Sequence, residues 1–276
     1  MKLAFRPGAP RLASLLLTLT LLSVAAPVSA VDNSVFDRTR HAVGLLGFDV
    51  NGPAPGGQFF LCSGFVISDY AFATAAHCVA PFEKMGIDVS FVVTLQSGSP
   101  DDPVIPPGDF DAVAPYNFTD FPILVDTVVA TTYYVHPNFN PVTRANDVAV
   151  VVFPAGTFSV KPVRLPKEGF LDWADHVGVL YEVPVGLVGF GGDEDLGDVV
   201  TIPGYRKRGF AIAVDLTENT LISGTNEVMD SQNLPGDSGS PQFVLGRAVS
   251  LASHSHVVKQ RLDTPLVQSF LAGFTN

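Results

Sequence analysis

The chain has 276 residues and a formal net charge of −11, because 27 acidic residues outnumber 16 basic ones. This excess of negative charge argues against nucleic acid or an anionic membrane surface as a partner, since both carry negative charge themselves. The length is suited to one protein of two β-barrels or to two small domains.

Residues 1–30 have the composition of a secretory signal peptide. Three basic residues stand among the first 11, and an uncharged apolar stretch follows from Leu12 to Pro27. Val28-Ser29-Ala30 then places small residues where signal peptidase reads the chain. We expect cleavage near Ala30 and a secreted protein, extracellular or periplasmic. A retained membrane anchor is the weaker alternative, because the apolar stretch is short. The remaining 246 residues (276 − 30) contain 13 basic and 27 acidic residues, a net charge of −14.

The chain contains two cysteines, Cys62 and Cys78. In an exported protein, an even number of cysteines at this separation predicts a disulfide. The bond would close a loop of about 15 residues and contribute roughly 3 kcal/mol on a chain-entropy estimate. Two cysteines alone are too few for a structural zinc site, so we expect no metal here.

Most of the chain after residue 40 consists of short apolar or alternating segments separated by Gly, Pro, Asp and Asn. This pattern is typical of an all-β sandwich or barrel. The segments predicted as strands are Ala42–Phe48, Phe59–Ile67, Val89–Leu95, Val128–Val135, Val148–Phe153, Val183–Phe190, Gly209–Val214 and Arg247–Ser253.

A short helix is predicted at the C-terminus. Thr264 is a suitable N-cap and Pro265 a suitable first helical residue. The apolar face of this helix would comprise Leu266, Val267, Phe270 and Leu271.

Three short motifs contain the candidate catalytic residues. The stretch Leu234–Pro241 holds Ser238 between Gly-Asp and Gly, which suits a tight loop that exposes a hydroxyl and frees backbone N–H groups. A Ser hydroxyl becomes a good nucleophile when a base removes its proton and a carboxylate orients that base. His77 and Asp147 are the candidates for these two roles, and each stands beside an apolar, strand-like segment.

The order His, Asp, Ser and the three motifs around these residues closely resemble the chymotrypsin- and trypsin-like serine proteases. The tail Arg261–Pro265 resembles a branch of bacterial secreted members, and Lys161–Pro166 resembles the linker between the two barrels of the family. Gly189-Phe190-Gly191 stands where the second barrel usually carries Gly-Trp-Gly. The resemblance runs from about His41 to the C-terminus.

This resemblance implies an all-β fold of two antiparallel six-stranded β-barrels with a short C-terminal α-helix and an active site in the cleft between the barrels. Residues 31–160 would form the first barrel, which carries His77 and Asp147. Residues 161–276 would form the second barrel, with Ser238 and the C-terminal helix.

The resemblance also implies a secreted endopeptidase that works without a cofactor. Ser238 would attack the scissile carbonyl, His77 would take its proton, and Asp147 would orient the imidazole. The backbone N–H groups of Gly236 and Ser238 would bind the oxyanion.

The carboxylate of Asp237 is expected to be buried beside this oxyanion loop and to need a cationic partner. In the family that partner is often the new N-terminus produced by zymogen cleavage. The usual Arg followed by Ile-Val-Gly-Gly is missing from this chain. Val31, freed by signal peptidase, is one candidate, but its spacing to the first strand is short, so the activation step stays open.

The family's primary pocket has its base six residues before the catalytic Ser, which places Gln232 there, followed by Asn233. A neutral amide offers no charge to offset the desolvation of a cation, so we expect an uncharged residue at the cleavage site. The alternative is that Asp230 reaches the base through a two-residue bulge, which would favour Arg or Lys.

The edge strand that binds substrate in the family aligns with the end of the predicted strand Arg247–Ser253. Ser253 would lie beside Asp147, and His254 and Ser255 would lie along the substrate. His254 and His256 share one face of this strand, since side chains alternate, but ordinary strand residues are the better interpretation than a metal site.

Two other features are read as surface loops. The segment Gln96–Thr127 lengthens the separation between His77 and Asp147, and it contains a glycosylation sequon at Asn117. The acidic run Asp193-Glu194-Asp195 is interpreted as a solvated loop rather than a calcium site.

Two further functions are alternatives to peptide hydrolysis. An inactive homologue that binds a partner protein is the main alternative, although the intact His, Asp and Ser argue against it. An α/β-hydrolase esterase is excluded, because Ser240 stands where its nucleophile elbow needs Gly. The expected partner is a protein or peptide substrate, and the expected state is a monomer that binds neither nucleic acid nor, after signal removal, a membrane.

Overall fold

The computed structural model describes residues 34–50, 62–85, 89–97, 128–192 and 204–275. The predicted signal peptide, Val31, the sequon at Asn117 and the acidic run Asp193-Glu194-Asp195 lie outside the described residues.

The described residues form fourteen strands and three helices. The strands are β1 (Val35–Phe36), β2 (Val43–Val50), β3 (Cys62–Val66), β4 (Ala71–Thr74), β5 (Val89–Thr94), β6 (Val128–Val129), β7 (Thr132–Val135), β8 (Ala149–Val152), β9 (Val185–Gly189), β10 (Lys207–Leu216), β11 (Thr220–Gly224), β12 (Pro241–Val244), β13 (Arg247–His254) and β14 (Val258–Arg261). The helices are α1 (Ala76–Met85), α2 (Phe170–His176) and α3 (Pro265–Leu271).

The first sheet is antiparallel and has the strand order β6-β5-β2-β3-β4-β8-β7. Its two outermost strands, β6 and β7, are separated in the chain by Ala130 and Thr131 alone. The amide of Ala130 donates to Phe91 in β5, and the amide of Thr131 donates to Val152 in β8. One stretch of chain therefore borders both ends of the sheet, which curls it into a barrel around buried side chains such as Phe65 and Phe72.

The second sheet closes completely. Strand β9 pairs with both β10 and β12, so β9-β10-β11-β14-β13-β12 form a ring of six antiparallel strands. Strand β1 adds to the outside of this ring by pairing with β10. Leu187, Leu221 and Val249 fill its core. The two antiparallel barrels predicted from the sequence are confirmed.

Ser63 of β3 joins the first barrel to the second at the level of the candidate site. Its amide donates to the Ser238 carbonyl at 2.8 Å. Its hydroxyl donates to the Gly236 carbonyl at 2.9 Å and accepts from the Phe190 amide at 3.1 Å. A buried Ser therefore fixes the relative position of the loops that the two barrels contribute.

The C-terminal helix forms where it was predicted, with Thr264 in an extended conformation before Pro265. Two details differ from the prediction. Leu266 is 52% exposed, whereas Val267 and Leu271 of the predicted apolar face are buried. The hydroxyl of Thr264 makes no cap hydrogen bond. The helices α1 and α2 were not predicted. Among the described residues, no helix has the length and apolar character needed to cross a bilayer.

Candidate active site

His77 and Asp147 meet because they follow and precede paired strands. Strands β4 and β8 are antiparallel, with Thr74 opposite Ala149. His77 comes three residues after Thr74, at the start of α1, and Asp147 comes two residues before Ala149. The His77 Nδ1 atom lies 2.7 Å from Asp147 Oδ2, and the His77 backbone N–H donates to Oδ1 at 2.8 Å.

The Asp147 carboxylate is fully buried and is held by a third donor. Ser253 Oγ donates to Oδ2 at 2.6 Å, and the Asp147 amide donates to Gln260 Oε1 at 3.1 Å. Burial raises the pKa of Asp147 to about 6, and the hydrogen bond from Ser253 opposes this rise. The arrangement favours the tautomer of His77 that carries its proton on Nδ1, because two acceptor oxygens face that edge of the residue.

Ser238 lies in a tight loop between Gly236 and Gly239, which have φ angles of 95° and 83°. Such values suit glycine because a side chain would clash with the backbone. A Cβ atom on Gly239 would also overlap Thr74 Oγ1 and the carbonyl oxygen of Ser63. The loop is thus pressed against β3 and the end of β4, just before His77 in the chain, with the half-buried Ser238 between the two glycines.

The amides of Gly236 and Ser238 donate to no other group in the part of the chain that the structure describes. Their neighbours do: the Gly239 amide donates to Ala252, and the Ser240 amide donates to Asp237. Over the same described residues, Ser238 Oγ forms no hydrogen bond with His77. Among the described residues, two backbone donors beside a Ser hydroxyl therefore have no acceptor.

The Asp237 carboxylate is fully buried, as expected from the sequence. Its Oδ1 accepts from the Gly191 amide at 2.8 Å, and its Oδ2 accepts from the Leu234 amide at 3.0 Å. Side chains on Gly189 or Gly191 would overlap this carboxylate, so both positions need glycine. Burial raises the pKa of Asp237, and the two amide hydrogen bonds counteract that rise.

Two buried lysines accompany Asp237, and sequence analysis missed both. Lys259 in β14 is fully buried, and Lys207 in β10 is 1% exposed. Burial lowers the pKa of each ammonium to about 7, and the negative charge of Asp237 opposes that effect in both cases. The sequence alone does not locate them, because their role depends on which strands lie next to the Ser238 loop.

The predicted substrate-binding residues occupy two segments. Asn233 is buried and donates from Nδ2 to Ser240 Oγ at 3.2 Å, whereas Gln232 is half-buried. In the second segment, β13 ends with the exposed His254, followed by the exposed Ser255. Asp230, the alternative base of the pocket, is exposed.

The predicted disulfide between Cys62 and Cys78 is present. It joins the first residue of β3 to the residue that follows His77 in α1. The link therefore restrains the segment that carries the candidate base. Within the described ranges, no group of three or more His, Cys, Asp or Glu side chains is arranged to hold a metal ion.

A model of the trypsin family matches residues 125–268, which is just over half of the chain. This chain belongs to the trypsin family. The matched stretch includes Asp147 and Ser238, and His77 lies before it.

Individual members of the trypsin family are also similar. A trypsin from Phaedon cochleariae is 26% identical over 212 residues, which cover 70% of this chain and 67% of that protein. Human heparin binding protein superposes with a TM-score of 0.58 at 15% identity, covering 87% of this chain and 95% of the other. HL collagenase superposes with a TM-score of 0.55 at 21% identity, covering 87% and 94%. The fold is therefore that of the trypsin-like serine proteases, and the resemblance to a bacterial branch stays a prediction.

Proposed function

We propose that the protein is a secreted serine endopeptidase in which Ser238, His77 and Asp147 form the catalytic triad. The observation that carries the proposal is the His77 ring held at 2.7 Å by a buried carboxylate, next to a loop that presents Ser238. Membership of the trypsin family supports a protein or peptide as the substrate. The disulfide between Cys62 and Cys78 is consistent with an oxidising compartment outside the cytoplasm.

In this mechanism, Ser238 Oγ attacks the carbonyl carbon of the scissile bond while His77 Nε2 takes its proton. Asp147 stabilises the imidazolium that results. The negative charge that develops on the carbonyl oxygen is bound by the amides of Gly236 and Ser238, which have no other acceptor among the described residues. His77 then passes the proton to the leaving amine, and water releases the acyl group from Ser238 by the reverse sequence.

The absence of a hydrogen bond between Ser238 Oγ and His77 among the described residues does not argue against this role. Catalytic hydrogen bonds are often long without substrate and shorten in the Michaelis complex. The inactive, partner-binding alternative has no specific support, because each of the three side chains and both amide donors is retained.

Two alanine variants test the proposal. Ser238→Ala and His77→Ala should each lower peptide hydrolysis by several orders of magnitude, leaving roughly 10³–10⁴-fold catalysis over water from binding and oxyanion stabilisation. A serine-directed phosphonate should label the wild type and not the Ser238 variant. The matched control is Ser269→Ala on the exposed surface of α3, which should retain full activity. Near-normal hydrolysis by Ser238→Ala would rule the assignment out.

A further inference from the structure

Asp237 stands in the chain between Gly236 and Ser238, the two residues whose amides would bind the oxyanion. It is fully buried, and its two oxygens accept amide hydrogen bonds from Gly191 and Leu234. Burying a carboxylate without a positive charge nearby costs several kcal/mol. Whatever cation stabilises Asp237 therefore also determines whether Gly236 and Ser238 keep their positions.

Lys259 places an ammonium group on the segment that holds Asp237. Its Nζ donates to Asn233 Oδ1 at 2.5 Å and to the His256 carbonyl at 2.6 Å. Asn233 is bonded in the chain to Leu234, whose amide donates to Asp237 Oδ2. Both direct partners of Nζ are neutral oxygens, and no carboxylate lies within ion-pair distance of Nζ among the described residues.

The charge of Asp237 nevertheless acts on Lys259. Attraction between the two raises the pKa of Lys259 and lowers that of Asp237, in each case against the larger effect of burial. Both side chains are completely inaccessible to solvent. Their interaction is therefore weakly screened, and when both groups are ionised each offsets part of the cost of burying the other.

Lys207 approaches Asp237 from a second direction. It stands directly opposite Gly189 in the antiparallel pair of β10 and β9. Residues paired in this way project from the same face of a sheet, with Cβ positions about 5 Å apart. A Cβ atom on Gly189 would overlap Asp237 Oδ1, so this face is the one that Asp237 covers. The buried Lys207 therefore projects on the side of the sheet where Asp237 lies.

We propose that Lys259, supported by Lys207, is a positioning residue that supplies an internal positive charge for Asp237 and so fixes the Ser238 loop without a free amino terminus. The inference rests on the proposed function, because it concerns the loop of the same active site. It predicts that the enzyme is active regardless of how the chain is processed before its first strand.

The direct test varies only the amino terminus. The chain beginning at Val31 is compared with the same chain preceded by a short Gly/Ser extension, and both are assayed on a peptide amide and with a serine-directed phosphonate. We expect kcat/KM and labelling rates to agree within about twofold. A loss of tenfold or more on extension would show that a free amino terminus is required and would overturn the proposal.

A second test changes the lysine. Lys259→Met should lower kcat by about 10²–10³-fold with little change in KM, because oxyanion donors act in the transition state. Lys167→Met, an exposed lysine before α2, is the control and should leave both constants unchanged. Full activity in Lys259→Met would contradict the proposal. If that variant does not fold, the extension experiment still decides.

The outcomes also separate this inference from the proposed function. If the protein is not a serine protease, neither amino-terminal form hydrolyses the peptide or reacts with the phosphonate. If it is a protease that depends on its amino terminus, the form beginning at Val31 does both and the extended form does neither.

Discussion

Replacing Asp147 with Asn tests whether the buried carboxylate sets the tautomer of His77. The His77 backbone N–H donates to Oδ1 at 2.8 Å, and a backbone amide is always a donor. The variant must therefore place its carbonyl oxygen there and its NH₂ group where Oδ2 was. That NH₂ would face His77 Nδ1, 2.7 Å from Oδ2 in the wild type. Two donors would then oppose each other, so the imidazole should move its proton to Nε2.

An imidazole that carries its proton on Nε2 cannot accept the proton of Ser238. We expect kcat to fall by about 10⁴-fold. At about 1.36 kcal/mol per tenfold, this loss corresponds to roughly 5 kcal/mol of transition-state stabilisation. The fold should survive, because the amide has the size and shape of the carboxylate. The assay is kcat at saturating peptide and neutral pH, with a thermal melt to confirm folding.

Ser253→Ala is the matched control for this prediction. It removes one donor to Asp147 and leaves both contacts with His77 in place. A hydrogen bond to a charged group contributes about 1.5–3 kcal/mol, so the loss should be at most about 160-fold. The reasoning is refuted if Asp147→Asn keeps more than a tenth of the wild-type kcat, or if Ser253→Ala is as damaging.

Three other predictions concern pH, stability and specificity. Because the pKa of Asp147 is raised to about 6, kcat/KM should rise with pH through that value as the carboxylate ionises, and a flat profile from pH 5 to 7 would contradict this. Between pH 3.8, the ordinary pKa of an Asp carboxyl, and about pH 6, the folded chain binds more protons than the unfolded chain. The free energy of unfolding should therefore fall as pH rises through this window, while activity increases. Replacing Cys62 and Cys78 with Ala should lower the free energy of unfolding by roughly 2–4 kcal/mol in urea titrations, and the native protein should show no free thiol. Peptides that differ only at the cleavage site should be cut best after an uncharged residue, given Gln232; a preference for Arg or Lys abolished by Asp230→Ala would show this to be wrong.

The sequence predicted the structure correctly where the local hydrophobic pattern agrees with the burial of the segment in the fold. Each of the eight predicted segments overlaps a strand, and the agreement is clearest in β8, where Ala149, Val150 and Val151 are all inaccessible. The meeting of His77 with Asp147 was predictable because each stands next to such a strand. The predicted apolar face of α3 was partly wrong, because which side of a short helix is covered depends on neighbours that the sequence does not identify. Leu266 is exposed for this reason.

Strand β14 shows why the rest could not be predicted. Three of its four residues are Lys259, Gln260 and Arg261. A segment this polar is predicted from its hydrophobic pattern to be a solvent-exposed loop. All three are buried in the structure. A strand of this composition is stable only because each polar group finds a partner distant in sequence, and such partners leave no trace in the local pattern.

Those partners show what the polar strand contributes. Lys259 contacts the segment before the Ser238 loop, through Asn233. Gln260, which must project from the opposite face because side chains alternate along a strand, accepts the amide hydrogen bond of Asp147. One strand of the second barrel thus contacts both the segment that leads to the nucleophile and the backbone amide of Asp147, which the first barrel contributes. An apolar strand could fill the same space, but it could not hold a backbone amide or a buried carboxylate in a fixed place. Burying Lys259 and Gln260 costs free energy of desolvation, and their hydrogen bonds to the parts of the site from the two barrels offset it.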